Sequence, residues 1–392
     1  MVAQTGGSQF LPRPPPPPLR GILSRCMGWV LVWLLLTLAL LVPPPAAYAQ
    51  APADRSAALG KGISLTGWFR FPATTDPTAL RSWLGDQAIA DLRRAGFTFV
   101  RLAVQPELIA ADSARQALLV DAVRHLQRHG LAVVIDAHPA AWHLEDRAQD
   151  RLALQAFWKA LAPALRSLPP RLTFPELLNE PVFPAASAAW QELQHQTLQV
   201  IRAALPDHTV VLSGNDWGSV AGLLALHPES DPNVIYSFHL YDPAELTSLA
   251  AYQPGLQRDA LARLPFPVGD AASCGRIADR SSDPPTAALM RFYCSIGWDN
   301  ARVAGRIEAA ADWGRRNHAS VLLGEFGASA MLNAPARLAW LRTVREACEA
   351  RGIGWALWGY DDVMGFAVPR RLGPRPALDD GVLHALGLAA PM

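Results

Sequence analysis

From residue 62 onward the chain repeats one pattern: a short apolar segment ending in polar residues, followed by a longer segment with apolar residues three and four positions apart. The longer spacing, as in Leu119, Val123 and Leu126, predicts amphipathic helices. The short segments predict strands at residues 63–67, 98–104, 132–138, 172–179, 209–213, 234–241, 320–325 and 354–358. The helical segments are 88–95, 114–129, 151–166, 187–205, 217–226, 300–317, 334–350 and, with a weaker pattern, 380–388.

Eight successive strand–helix units favour an α/β fold of the (β/α)8 TIM-barrel type over an open doubly wound sheet. An open sheet usually carries a glycine-rich turn after its first strand, and residues 65–70 contain no such turn. We expect a single barrel domain over residues 62–392, preceded by a short linker at 50–61. Residues 242–297 predict a long loop insertion after the sixth strand. It would either shape the active-site cleft or decorate the surface.

The first 49 residues have the three parts of an export signal. Arginines surround a proline-rich start, an apolar segment follows at 27–42, and a small-residue stretch ends in Ala47-Tyr48-Ala49. The apolar segment is short for a membrane-spanning helix, which needs about 20 residues. This favours a signal peptide cleaved near Ala49 over an uncleaved anchor. We therefore expect a secreted or periplasmic protein with no membrane contact after cleavage.

The cysteines fit an exported protein. Cys274 and Cys294 flank one loop-like segment, and the oxidising compartment permits a disulfide between them. Cys348 lies in a helical pattern and is expected to be a buried free thiol. Because Cys-x-x-Cys pairs are absent, the sequence gives no support for a structural zinc site.

The composition narrows the class of function. Hydrophobic residues make up 51% of the chain, enough for a large core, so a wholly disordered chain is excluded. The formal net charge of +1 argues against a nucleic-acid-binding protein.

Polar side chains collect where the predicted strands end, and in a barrel these ends converge on one pocket. A buried charge without a partner costs several kcal/mol, so such a collection needs a reason. The residues concerned are Arg101, Asp136, His138, Asn179, Glu180, Asn215, Asp216, His239, Tyr241, Glu325 and Trp358.

Two carboxylates, Glu180 and Glu325, have the chemistry to cleave an acetal: one protonates the leaving oxygen while the other attacks the anomeric carbon. Tyr241 and Arg101 are placed to donate to Glu325 and hold it ionised. Glu180, beside a negative neighbour, would then stay protonated and act as the acid. Glu176, four residues earlier, is expected to be a structural partner for a buried donor.

Other residues at the pocket suit a sugar ligand. Asn179 can hydrogen-bond a sugar 2-hydroxyl, and Trp358 offers a flat face to a sugar ring. Four further tryptophans are candidates for either sugar subsites or ordinary packing: Trp68, Trp142, Trp217 and Trp298.

The segments resemble glycoside hydrolase family 5, the cellulase family, over about residues 62–358. The residues that match its motifs, in order, are Arg101 in Phe-Val-Arg-Leu, His138 in Asp-Ala-His, Asn179 and Glu180 in Asn-Glu-Pro, His239 and Tyr241 in His-Leu-Tyr, Glu325 in Gly-Glu-Phe-Gly, and Trp358. The resemblance implies a (β/α)8 barrel that needs no metal or organic cofactor.

The resemblance also implies Glu180 as acid/base and Glu325 as nucleophile, with retention of anomeric configuration. The implied substrate is a β-linked polysaccharide or oligosaccharide. Its implied substrate-binding residues are Arg101, His138, Asn179, His239, Tyr241 and Trp358.

We expect a secreted, monomeric, retaining enzyme of the endo-β-1,4-glucanase type. A β-mannanase and an exo-β-1,3-glucanase of the same family are alternatives. A metal-dependent barrel hydrolase would use Asp136, His138, His239 and Glu325 as ligands. A non-catalytic glycan-binding barrel is the remaining alternative.

Overall fold

A computed structural model describes residues 51–183, 187–362 and 378–390. Within these ranges eight parallel strands pair in chain order, and β1 closes on β8 to form a barrel. The strands are β1 Lys61–Phe69, β2 Phe99–Val104, β3 Ala132–Ala137, β4 Thr173–Glu176, β5 Val210–Ser213, β6 Val234–Leu240, β7 Ser320–Phe326 and β8 Gly354–Leu357. The predicted (β/α)8 barrel is confirmed. The segment 1–49, interpreted as an export signal, lies outside the described residues.

The helices lie between the strands, and short ones supplement the predicted set. They are α1 Ala53–Ala58, α2 Pro77–Arg81, α3 Asp86–Ala95, α4 Pro106–Ile109, α5 Ser113–Arg128, α6 Ala148–Leu165, α7 Ser187–Ala204, α8 Val220–Leu224, α9 Ala244–Thr247, α10 Arg258–Leu261, α11 Ala271–Ala278, α12 Pro284–Ile296, α13 Asn300–Arg316, α14 Ala334–Glu349 and α15 Asp380–Ala385.

Local sequence explains where the main helices begin and end. Asp112 caps α5 by accepting hydrogen bonds from the backbone N–H groups of the first turn, and Asp299 does the same for α13. Helix α3 ends at Gly96, whose φ of 111° is a conformation that favours glycine. The predicted helix 217–226 is shorter than expected, because Asp216 and Trp217 adopt positive φ and delay its start to Val220.

An apolar layer fills the inside of the barrel. It consists of one or two inward residues from each of seven strands: Phe99, Ala132, Val134, Phe174, Val211, Ile235, Leu322 and Ala356. Ala51 and Leu59, before the first strand, pack against this layer. Side chains alternate between the two faces of a strand, so the residue two positions later faces inward again. We call this apolar layer the floor of the barrel. The side chains of the next layer therefore come from the residues two positions further along each strand.

The insertion predicted at 242–297 follows β6, and helices α9 to α12 form within it in place of an irregular loop. Pro284 at the start of α12 and the Asp270 cap of α11 supply ordinary helix-start signals. The predicted disulfide between Cys274 of α11 and Cys294 of α12 is confirmed. The Asn333 side chain also donates to the carbonyls of Ala262 and Leu264, which holds the insertion to the loop that follows β7.

Cys348 is buried and unpaired in α14, as predicted. Among the residues that the structure describes, none of the helices combines the length and the apolar character that crossing a bilayer requires.

Candidate active site

A layer of charged side chains lies directly above the apolar floor. Arg101, Asp136 and Glu176 each lie two residues beyond an inward apolar residue of the same strand, so strand alternation turns them into the barrel. All three are fully or almost fully buried. Three charges this deep require partners, and they find them in one another.

Arg101 is the centre of this layer. Its Nε and Nη2 atoms donate to the two carboxylate oxygens of Glu176 at 2.7 and 2.9 Å, a bidentate pair. Nη2 also reaches Asp136 Oδ2 at 3.0 Å and Asn179 Oδ1 at 2.9 Å. Nη1 donates to Glu325 Oε1 at 2.5 Å. The prediction that Glu176 partners a buried donor is confirmed.

Glu325 enters the barrel because of an irregularity at Gly324. In the pairing of β6 with β7, Phe238 lies opposite Leu323 and His239 lies opposite Glu325, so Gly324 is an extra residue. Such a bulge re-aims the side chains that follow it. A Cβ atom at Gly324 would lie 2.1 Å from the Ser237 hydroxyl, so any other residue here would force the Ser237 side chain to move. Glu325 is 4% exposed and also accepts a hydrogen bond from the Tyr241 hydroxyl at 2.9 Å.

Glu180 lies opposite Glu325 with His239 between them. The His239 Nδ1 atom is 2.9 Å from Glu180 Oε1 and 3.6 Å from Glu325 Oε2. Facing oxygens of the two glutamates lie within 4.8 Å of each other. The Glu180 side chain is 23% exposed and that of Glu325 is 5% exposed, so Glu180 has the freer access to water. The positive φ of Glu180, 42°, marks the sharp turn that follows β4.

His138, Asn179 and Trp358 lie beside this pair. His138 Nδ1 is 2.9 Å from Asp136 Oδ2, which orients the ring, and its Nε2 is 3.3 Å from Asn179 Nδ2. The Trp358 ring stacks on His138 at 5.7 Å, and its Nε1 donates to Asp362 at 2.9 Å. Trp358 is 3% exposed, so its contact with a sugar stays a prediction.

The charges of the site shift several proton affinities. Burial opposes the charged form of His239, but the carboxylates of Glu325 and Glu180 outweigh it and raise the pKa of the imidazole. Burial and the same two carboxylates raise the pKa of the Tyr241 hydroxyl well above its ordinary value, so it stays a donor. Burial disfavours the anion of Asp136, but Arg101, His138 and His239 together outweigh burial and lower the pKa of this carboxyl.

Sequence patterns missed the residues that fix the loops around the pocket. The Asn215 amide accepts from the Phe183 N–H and donates to the Phe183 carbonyl, both at 2.6 Å. This clamp joins the loop after β4 to the loop after β5. The carbonyl of Gly218, in the left-handed turn that contains Trp217, accepts from the His239 N–H at 2.8 Å. Asn215 at a strand end was the one available signal for this clamp.

The four candidate tryptophans separate by exposure. Trp68 is 1% exposed and donates to the Leu80 carbonyl, so it is a packing residue and its interpretation as a subsite is wrong. Trp217 is 61% exposed. Trp142 and Trp298 are partly buried against the core.

The predicted metal-ligand set does not meet at one point. Asp136 and His138 contact Arg101 and Asn179, whereas His239 and Glu325 face Glu180. Within the described part of the chain, the group at the pocket with donor atoms close enough for one ion is Glu180, His239 and Glu325. These are the same atoms that a carboxylate-pair reaction would use.

Comparison with known proteins agrees with the fold. The chain is 26% identical over 334 residues to Endoglucanase 3 of Fibrobacter succinogenes, covering 77% of this chain and about half, 49%, of that protein's length. It is 22% identical to Endoglucanase C of Acetivibrio thermocellus, covering 76% of this chain and 90% of the relative. The solved endoglucanase Cel5A from the hyperthermophilic Thermotoga maritima superposes with a TM-score of 0.68 at 25% identity, covering 86% of this chain and 99% of that one.

The family model described as Cellulase (glycosyl hydrolase family 5) matches residues 60–362, which include every strand of the barrel and both facing glutamates. The resemblance noted in the sequence is therefore confirmed. The chain belongs to glycosyl hydrolase family 5 and is a glycoside hydrolase.

Proposed function

We propose that this enzyme is an exported, retaining β-glycanase of the endo-β-1,4-glucanase type, with Glu325 as nucleophile and Glu180 as acid/base. The observation that carries the proposal is the spacing of the two carboxylates, whose facing oxygens lie within 4.8 Å. Retaining enzymes hold their two carboxyl groups about 5–5.5 Å apart, whereas inverting enzymes need about 6.5–9.5 Å to admit a water.

The two glutamates differ in the way each role requires. Both oxygens of Glu325 accept hydrogen bonds, from Arg101 and from Tyr241, which favours the carboxylate and aims it. In the first step a Glu325 oxygen bonds to the anomeric carbon as the glycosidic C–O bond breaks. Glu180, whose side chain is the more exposed of the two, delivers its proton to the leaving oxygen.

In the second step Glu180 takes a proton from water, and the water oxygen attacks the anomeric carbon. The ester bond to Glu325 breaks and restores the carboxylate, so the configuration is retained after two inversions. His239 contacts Glu180 at 2.9 Å and carries a raised pKa, which suits it to stabilise the carboxylate that Glu180 becomes after the first step.

Substitution of each glutamate tests the two roles. Glu325→Gln and Glu180→Gln should each lower turnover of a β-glucan at least about a hundredfold with the fold intact. On an aryl glycoside with a good leaving group the first step needs little acid, so Glu180→Gln should recover glycosylation while Glu325→Gln should not. Azide should partly rescue a Glu→Gly change at either position.

Glu107→Gln is the matched control, since this glutamate lies at the same end of the barrel but bonds the backbone N–H groups of Ala140 and Ala141. It should keep near-normal turnover. Proton NMR of the first product should show the retained anomer. An inverted first product, or near-normal turnover by Glu325→Gln, would contradict the mechanism.

The glucan preference draws on the relatives that are named endoglucanases. The Thermotoga maritima enzyme has been solved with cellobiose and with mannotriose, so mannan belongs in the test. A panel of cellulose, mixed-linkage glucan, mannan, xyloglucan and β-1,3-glucan with product sizing decides between the candidates. Early release of mixed oligosaccharides from mixed-linkage glucan supports endo action on glucan. Faster turnover of mannan would instead assign the enzyme as a mannanase. Release of single sugars only would assign it as an exo-acting enzyme.

Export rests on the segment 1–49 and on the disulfide between Cys274 and Cys294, a bond typical of oxidising compartments. N-terminal sequencing of the protein from its native host should give a start near Gln50. A chain that keeps its first residues and stays with the membrane fraction would instead indicate an anchor.

A further inference from the structure

A second group of metal-ligating side chains lies outside the barrel, on the faces of α3 and α5. His125 and His129 are four residues apart on α5, which places both rings on one face of the helix. Asp86, the first residue of α3, lies opposite them. These three residues take no part in the proposed hydrolysis.

The donor atoms of the three side chains converge on one point. The Nε2 atoms of His125 and His129 each lie 3.2 Å from the same oxygen, Asp86 Oδ1, and all three donor atoms lie within 4.8 Å of one another. Two ligand atoms on one tetrahedral zinc ion, each about 2.0–2.1 Å from the metal, are about 3.3 Å apart. The two spacings between histidine and aspartate therefore match edges of such a site, and the two histidine nitrogens lie within 4.8 Å of each other.

The surroundings suit a bound ion with open positions. The histidine side chains are 25% and 28% exposed and Asp86 is 76% exposed, so the rings are held against the protein while the carboxylate faces water. One feature opposes the binding of a cation here: the positively charged Arg128, whose Nη2 lies 3.3 Å from His125 Nδ1. Arg128 is exposed, so its guanidinium can turn away into water.

We propose that Asp86, His125 and His129 form a binding site for a divalent first-row transition metal, best suited to Zn²⁺, which joins α3 to α5. Two imidazoles and one carboxylate favour zinc, nickel or copper over calcium or magnesium, which prefer oxygen ligands. Water completes the coordination. Because the site links two helices and has no counterpart in an unfolded chain, the ion stabilises the folded state.

The test is calorimetric titration of the metal-stripped full chain with zinc chloride at neutral pH, together with thermal unfolding. The wild type should bind zinc and melt at a higher temperature in its presence. His125→Gln/His129→Gln should lose this binding and the melting shift, and Asp86→Asn should weaken binding at least about tenfold. Arg128→Gln should bind zinc more tightly, because a competing cation is removed.

His195→Gln is the matched control: this histidine is also exposed and lies 2.8 Å from a carboxylate, that of Glu229, but among the residues that the structure describes no second histidine joins this pair. It should bind zinc as the wild type does. Copper added to the wild type should give an electron paramagnetic resonance spectrum with two nitrogen ligands, and the double variant should lose that spectrum. The far-ultraviolet circular dichroism of each variant reports whether it folds.

Zinc binding that persists in the double variant at wild-type affinity overturns the proposal. If zinc binding instead disappears in Glu180→Gln and is unchanged in the double variant, the ion sits between the facing glutamates, and the proposal is equally overturned. Both outcomes are independent of whether the enzyme hydrolyses glucan.

Discussion

Removing the Arg101 guanidinium should destabilise the fold in a way that depends on pH. Arg101→Met keeps an apolar stem of similar length but leaves the carboxyl groups of Asp136, Glu176 and Glu325 without their cation, and Arg101 itself is 0% exposed. Breaking a buried ion pair from one side costs about 3–5 kcal/mol, and three carboxylates depend on this one partner. We expect the free energy of unfolding near pH 8 to fall by about 5 kcal/mol.

The sign of the pH dependence follows from proton linkage. In the wild type the pKa of Asp136 is lowered, so this pairing contributes stability above the unfolded value of about 3.9 and loses it only as the pH falls through the folded value. In Arg101→Met, burial without this cation raises the pKa of Asp136, and it raises further the pKa of Glu176, which burial already raises in the wild type. The folded variant then binds more protons than the unfolded chain, so its stability should fall between about pH 5 and pH 8, by up to about 1.4 kcal/mol per pH unit per group.

Urea unfolding, followed by tryptophan fluorescence at about pH 5 and about pH 8, measures this change in the free energy of unfolding. Arg166→Met is the control, since the Arg166 guanidinium donates to the backbone carbonyl of Ala204, which does not titrate. Its destabilisation should be smaller and nearly the same at the two pH values. The reasoning about the buried charges would be refuted if Arg101→Met lowered the free energy of unfolding by under about 1 kcal/mol near pH 8. An equal loss near pH 5 and near pH 8 would refute it as well.

Three further outcomes are expected. Tyr241→Phe removes one of two donors to Glu325 and should lower kcat roughly 10- to 100-fold without changing the melting temperature, measured on a β-glucan; an unchanged kcat would contradict the role of the hydroxyl. Burial lowers the pKa of His208 to about 4, so the unfolding free energy should fall by up to about 3 kcal/mol between about pH 6.5 and pH 4, and His208→Gln should flatten that slope in urea unfolding. Replacing Cys274 and Cys294 by alanine opens a loop with a sequence separation of 20 and should destabilise the insertion by about 3 kcal/mol, seen as faster proteolysis of residues 242–297; equal protection would argue that packing alone holds it.

Much of the fold and the site follows from local patterns. Alternation along a strand explains how Arg101 and Glu176 turn inward, because each lies two residues beyond an apolar residue of the barrel floor. The order of strand ends along the chain then collects the polar residues at one mouth. The sequence predicted a buried donor for Glu176 without naming it, and the structure identifies this donor as Arg101.

Glu325 shows where alternation fails. Counting from Leu322, alternation places residue 324 inward and Glu325 outward, yet the bulge at Gly324 turns Glu325 inward as well. A bulge depends on how one strand pairs with its neighbour. The alternating pattern within one strand does not reveal that pairing, so it cannot predict the bulge. The Asn215 clamp and the helices within 242–297 depend in the same way on contacts between distant segments.

The position of Arg101 inside the barrel constrains how this enzyme could be improved. Its guanidinium, carried by β2, holds side chains from β3, β4 and β7 in one cluster, so a stabilising substitution there would also alter the reacting groups. An engineer seeking heat resistance would therefore gain more by altering the outer helices, where a change leaves the chemistry untouched.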